Sequence, residues 1–161
     1  MFEDFLTPVE RADFRAAESN SSILMQTAFL AGDYSRINEF QVALIGVCED
    51  RGNEANYGTA NAPNEVRKWF YQLSAISGDV KIADLGNIGA GKEINDTYVA
   101  LETVLAALLK QKIFPIVVGG TQDLTVAQYR AYKALDVAVN LVTVDERIDL
   151  LRESEGINSQ N

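Results

Sequence analysis

Gly119-Gly120-Thr121-Gln122-Asp123-Leu124-Thr125 stands directly after the apolar run Ile113 to Val118. Val144-Asp145-Glu146-Arg147-Ile148-Asp149-Leu150 closes the next apolar run, Val137 to Val144. Each run reads as a buried strand that breaks into a polar turn, and Leu124 to Leu135 between them reads as a helix. Strand, helix and strand with short links make a right-handed crossover between parallel strands. Gly119 and Gly120 let the chain turn tightly at the strand end and come close to a ligand.

The same alternation extends upstream. Gln41 to Val47 and Lys81 to Leu85 read as two further strands, with a polar, glycine-bearing loop from Glu49 to Ala62. Pro63 to Leu73 reads as a helix with Val66, Trp69, Phe70 and Leu73 on one face, so that Trp69, Phe70 and Tyr71 pack onto the sheet. Asn95 is placed as the cap of a helix running to about Gln111, with apolar Val99, Leu101, Val104, Leu105 and Leu108. Before residue 40, Thr7-Pro8-Val9-Glu10 carries a helix-start signal for Pro8 to Glu18, and Ile23 to Leu30 reads as a second helix or an arm. The expected architecture is a three-layer α/β/α sandwich with a mainly parallel sheet over residues 41–161, preceded by a helical arm over residues 1–40. The tail from Arg152 to Asn161 is polar and expected to fray.

Composition narrows the function. With 161 residues the chain suits one domain with a buried core. Its net charge of −9 argues against nucleic acid or an anionic membrane as partner, and its basic residues form no stripe. No stretch approaches a membrane span. One cysteine, Cys48, rules out an intrachain disulfide and reads as a buried structural thiol; a cytoplasmic setting is expected, and the acidic N-terminus is unlike a secretory leader. The chain contains no histidine, so by itself it builds no serine–histidine triad and no histidine-bearing zinc site. Any metal falls to carboxylates, amides, carbonyls and water.

In parallel sheets the loops after the strand ends gather at one edge, where ligands bind. That edge is expected to collect Glu49, Asp50, Arg51, Asp84, Gly119, Gly120, Gln122, Asp123, Asp145, Glu146 and Asp149. The bland reading of the first phrase is a glycine corner with Asp123 capping the next helix. In the second phrase Asp145, Glu146 and Asp149 repel one another unless a cation or an arginine sits between them. Arg147 can supply that charge, and an internal salt-bridge network is favoured over a metal at Asp145 and Asp149. A rival phrase, Gly86-Asn87-Ile88-Gly89-Ala90-Gly91-Lys92-Glu93, nearly matches a phosphate-binding loop. Its last position carries Glu93 where a hydroxyl is needed for magnesium, so nucleotide binding is the lesser alternative.

The two opening phrases resemble the metal-binding signatures of the arginase, agmatinase and formimidoylglutamase superfamily (the ureohydrolases). There they usually read Gly-Gly-Asp-His-Ser-x-Thr and Asp-Ala-His-x-Asp and hold a binuclear manganese centre. Gln122 and Arg147 stand in the two histidine positions; Asp145 and Asp149 match two carboxylate ligands. Ala43-Leu44-Ile45-Gly46-Val47, Asn61-Ala62-Pro63-Asn64-Glu65-Val66-Arg67, Ala83-Asp84-Leu85-Gly86-Asn87-Ile88 and Pro115-Ile116-Val117-Val118 are similar to further family segments in the same order. The closest likeness is to the formimidoylglutamase-like branch. The resemblance implies an incomplete arginase-like fold, the N-terminal half of a longer domain, with an open sheet edge. In the family, manganese-activated water hydrolyses C–N bonds of linear amidines. Here it implies a degenerate site, no cofactor in this chain, a small cationic amidine or guanidine as ligand, and a homo-oligomer. The alternative is an active amidine hydrolase completed by a missing C-terminal half.

Overall fold

Residues 2–15, 21–52, 57–75, 79–136 and 138–145 are described by the computed structural model. Five strands form one sheet: β1 (Leu6–Thr7), β2 (Thr27–Phe29), β3 (Val42–Cys48), β4 (Ile82–Gly89) and β5 (Phe114–Val118). The helices are α1 (Ile23–Gln26), α2 (Ala62–Phe70), α3 (Ile94–Lys110) and α4 (Leu124–Lys133). Strand order is β1-β4-β3-β5, and β3 runs parallel to both β4 and β5. β4's other edge is shared end to end: β2 pairs parallel with its first half and β1 antiparallel with its second.

The alternation along β3 explains the layers. Ala43, Ile45 and Val47 face a core built with Leu101, Val104, Leu105 and Leu108 of α3 and Leu124, Ala127 and Ala131 of α4. Leu44 faces the opposite side, among Phe14, Ile23, Leu24, Tyr71 and Ile82. Period-two strands thus bury both faces, one under α3 and α4 and the other under α2 and the N-terminal segment. This is the expected α/β sandwich.

Several local expectations change. The N-terminal segment, read as helical, lends β1 and β2 to the sheet. Thr7 lies in β1, and the described part of Pro8 to Glu18 holds a single 3-10 turn, Arg11–Asp13, closed by a Glu10–Asp13 capping box. Ile23 to Leu30 splits into one helical turn and a strand. The helix starting near Asn95 begins at Ile94 and is capped by Glu93, whose backbone N–H donates to Asp96 at 2.8 Å; a reciprocal carboxylate pair outcompeted the single amide. Val99 lies on the solvent side of α3.

α2 turns a different face inward than its hydrophobic pattern suggested. Pro63, Arg67 and Tyr71 are buried, while Val66, Trp69 and Leu73 are exposed, Trp69 by 73%. Arg67, wholly buried, grips β4 from above. Its Nε and Nη2 donate to the two carboxylate oxygens of Asp84 at 2.7 and 2.9 Å. Nη1 donates to Asn87 Oδ1 at 2.6 Å and Nη2 to the Gly86 carbonyl at 3.0 Å. Tyr71 Oη donates to Asp84 Oδ2, and the Gly86 N–H to Oδ1. Burial and then the Asp84 charge push the Tyr71 hydroxyl well above its usual value, so it remains a donor.

Residues three apart on a regular strand point to opposite faces, yet Asp84 and Asn87 both meet Arg67. A bulge between them resolves this: Leu44 pairs with Asp84 and Gly46 with Asn87, so two residues of β4 stand opposite one of β3. Gly86 sits in that bulge at φ +88°, with the Thr7 carbonyl and Pro8 packed where a side chain would begin. Glycine is required there. The same fact disposes of the phosphate-loop alternative. Residues 86–89 continue β4 as extended chain, and no helix starts until Ile94. The Gly91 and Lys92 carbonyls receive the Arg51 guanidinium at 3.0 Å each, the wrong polarity for a phosphate cradle.

The run Val137 to Val144, expected as the next strand, forms none over residues 138–144. A strand needs a hydrogen-bonding neighbour, and among the described residues this one has none. Its Val144 is 97% exposed, and Phe114 on β5 is 63% exposed. β5 is therefore an apolar sheet edge.

Candidate functional site

The strand ends meet at one rim, but most of the charged groups collected there serve the scaffold. Glu49, at the end of β3, is buried. Arg51 holds it with two guanidinium bonds, Nε to Oε1 at 2.8 Å and Nη2 to Oε2 at 2.5 Å, and with its backbone N–H at 3.0 Å. Thr97 Oγ1 donates to Oε2 at 2.8 Å and accepts the Gly91 N–H at 2.9 Å. Asp50 accepts the Gly58 N–H at 2.8 Å and so closes its own loop. Asp84, expected at the rim, lies under α2 in the Arg67 clamp.

Burial raises the Glu49 carboxyl, but the hydrogen bonds from Arg51 and Thr97 and the Arg51 charge outweigh it, leaving it below the ordinary 4.5. A folded value below the unfolded one stabilises at high pH. That contribution is present above about pH 4.5 and is lost as the pH falls through the folded value. Arg51→Gln is expected to be less stable than the parent at pH 7 in urea unfolding, with the gap narrowing below pH 4.5. A gap independent of pH would remove Glu49 as the cause.

Asp123 does not cap α4; its carboxylate makes no bond to the helix N-terminus. It turns inward, where Tyr98 Oη donates to Oδ2 at 2.5 Å. Burial and then this bond push the Tyr98 hydroxyl far up, so it keeps its proton. Among the described residues, Asp123 Oδ1 and the Thr121 hydroxyl are buried without a hydrogen-bond partner. Gly52 closes on the Asp123 carboxylate, leaving no room for a side chain. Thr97 and Tyr98, neighbours near the start of α3, thus tie down both the end of β3 and the turn after β5. Nothing in the sequence pattern marked either residue beyond its place in the helix. Gly120 packs onto the Glu49 backbone so closely that a Cβ would overlap the carbonyl.

Outside this lock lies a groove of about 570 Å³. Gly119, Gly120, Thr121, Gln122 and Thr125 form one wall and residues 141–145 the other. Gln122 is exposed at its mouth, and Asp145 lies in the same groove. The tertiary structure therefore brings the first phrase and the start of the second to one cavity. Glu146, Arg147 and Asp149 lie outside the described residues.

Among the described residues no group of three or more histidine, cysteine, aspartate or glutamate side chains is placed to hold a metal. Glu49, Asp84 and Asp123 are engaged by Arg51, Arg67 and Tyr98. Among the described residues lining the groove, Asp145 is the one carboxylate, beside the Gln122 and Gln128 amides and the Thr121, Thr125 and Thr143 hydroxyls. Cys48 is half-buried, and burial pushes its thiol up, which suits a structural role. No helix among the described residues is long and apolar enough to cross a membrane.

A mainly parallel α/β sandwich, with the glycine corner and an aspartate at one rim groove, is the arrangement that an arginase-type domain was expected to show. The chain belongs to the arginase family, whose family model matches residues 40–160. It is 32% identical to the formimidoylglutamase of Hahella chejuensis over 127 residues, covering 73% of this chain and 39% of that protein. To the Staphylococcus haemolyticus formimidoylglutamase it is 25% identical over 114 residues, 67% of this chain and 37% of the relative. Among solved structures it resembles Trypanosoma cruzi formiminoglutamase with Mn2+ at a TM-score of 0.55 and 23% identity, over 60% of this chain and 36% of that one. The Bacillus subtilis formimidoylglutamase matches at 0.53 and 18% identity, over 84% and 38%. These likenesses establish the fold. The chain spans less than half the length of each of these relatives.

Proposed function

We propose that this chain is the N-terminal part of a formimidoylglutamase-like protein whose manganese site is degenerate. Its groove would bind a small cationic amidine or guanidine without hydrolysing it. The reading rests on two positions: by the resemblance of their phrases, Gln122 and Arg147 stand where the family's signatures have histidine, and the chain contains no histidine. An amide oxygen binds manganese more weakly than imidazole, and a guanidinium repels it. The groove wall offers acceptors suited to a donor-rich cation, the Gln122 amide and the Asp145 carboxylate.

The reading is tested by purifying the chain with manganese supplied and counting bound metal. The expected result is well under one ion per chain and no hydrolysis of a linear amidine. Installing Gln122→His and Arg147→His together should raise manganese affinity by about tenfold or more. Two ions on the unaltered protein, with ammonia or formamide released, would overturn the degenerate site. The 39% share of the Hahella relative favours one alternative, a working hydrolase whose site is completed by further chain. Metal-dependent turnover in a longer form alone would establish it.

A further inference from the structure

We propose that the turn after β5 holds a buried monovalent cation, sodium in preference to potassium, between the Asp123 carboxylate and the Thr121 hydroxyl. The turn alternates: Gln122 faces the groove, while Thr121 and Asp123 turn inward, 4% and 1% exposed. Among the described residues, Asp123 Oδ1 and Thr121 Oγ1 have no hydrogen-bond partner. Buried polar atoms are almost always satisfied, and two left open on one short turn mark a place for a ligand. Gly52 keeps side chains out of that place. A Cβ there would stand 2.2 Å from Asp123 Oδ1 and 2.6 Å from Oδ2.

Charge selects the occupant. The one hydrogen-bond partner of Asp123 among the described residues is a neutral phenol, Tyr98, which donates to Oδ2 at 2.5 Å. Burial, that bond and the charges of Asp123 and Glu49 keep the proton on Tyr98. Arg130 is the weakest influence on the same hydroxyl, and among the described residues no ion pair reaches Asp123. Arg51 is taken up by Glu49, which it meets with both Nε and Nη2. Two carboxylates and one guanidinium leave one negative charge inside, costly until it is matched. A single positive charge matches it, and oxygen ligands suit a hard ion. A divalent ion would overshoot, and no group of three carboxylates among the described residues is placed to hold one. Both open atoms are sealed from water, so the smaller alkali ion fits first. The site lies behind the groove and does not depend on what the groove binds.

The test is thermal unfolding of the full chain in sodium, potassium or N-methylglucamine chloride at one ionic strength. Sodium should raise the midpoint above that in N-methylglucamine by about 3 °C or more, saturating as one binding site does, with potassium between. Asp123→Asn keeps an oxygen for Tyr98 and removes the charge. It should unfold at one temperature in all three salts, and above the parent in N-methylglucamine, where the parent's carboxylate goes unmatched. Thr121→Val removes one oxygen and keeps the charge, so the sodium needed for half the rise should increase about tenfold. The parent comparison decides even where a variant fails to fold. A parent indifferent to the choice of cation overturns the proposal, since a buried water or a proton would then serve the turn. So does potassium matching sodium, or a sodium response that survives Asp123→Asn and so places the ion elsewhere.

Discussion

Arg67→Met is expected to cost the fold about 3–5 kcal/mol and to lower the midpoint of thermal unfolding by about 10 °C. The methionine keeps the apolar stem but leaves Asp84, with a wholly buried side chain, facing no counter-charge. Asn87 Oδ1 and the Gly86 carbonyl lose their donors at the same moment. Arg67→Lys should not rescue, because one ammonium cannot span Asp84, Asn87 and the Gly86 carbonyl as the planar fork does. Arg67→Met with Asp84→Leu should recover much of the loss, since removing both charges also removes the stranded one. Urea unfolding of the two singles and the double completes the cycle. A single-variant cost under about 1 kcal/mol, within the range of exposed ion pairs, would mean the clamp is not what fastens α2 to β4.

Gly120→Ala is expected to cost about 3 kcal/mol by overpacking, and to disturb the groove as it does so. The Cβ would land on the Glu49 carbonyl, and backbone cannot rotate out of the way as a side-chain end can. The turn after β5 and the end of β3 must then separate, loosening the shelf that holds Gln122 at the groove. Two neighbouring substitutions calibrate the claim. At Gly119 a Cβ meets only the Leu124 Cδ1 at 2.9 Å, the mobile end of a side chain, so Gly119→Ala should cost less. At Gly89 nothing among the described residues lies within 4 Å, so Gly89→Ala should be near neutral. Thermal unfolding of the three should rank them Gly120, Gly119, Gly89; any other order would sink the close-packing account of the corner.

These effects show why the site was only partly legible in the chain. Gly119-Gly120 announced a tight strand-to-helix corner, and the structure puts it at the groove. Asp123 looked like a helix cap because aspartate before a helix usually is one. It turns inward because Tyr98, 25 residues away, offers a hydroxyl that local pattern does not reveal. Asp84 looked like a rim carboxylate because it precedes a strand end in the expected boundaries. β4 in fact runs four residues further, through a bulge made by Gly86, and takes the carboxylate under α2. Trp69 looked like core because its spacing is that of a buried stripe. Spacing records which residues share a face, not which way the helix is turned.

By itself the chain determined the class of the fold and what its chemistry must do without. Hydrophobic periods of two and near four are local properties, so β3, β5, α3 and α4 were readable to within a residue or two. The lack of histidine is a fact of composition. Only the tertiary structure decided which carboxylates are spent inside: Glu49 on Arg51, Asp84 on Arg67, Asp123 on Tyr98. It also decided which face α2 presents to water. Asp84 and Asp123 meet partners 17 and 25 residues away, and Glu49, though beside Arg51 in the chain, is also bonded by Thr97, 48 residues on; these come within hydrogen-bonding range only when the sheet assembles, and a buried charge settles where its counter-charge can reach it.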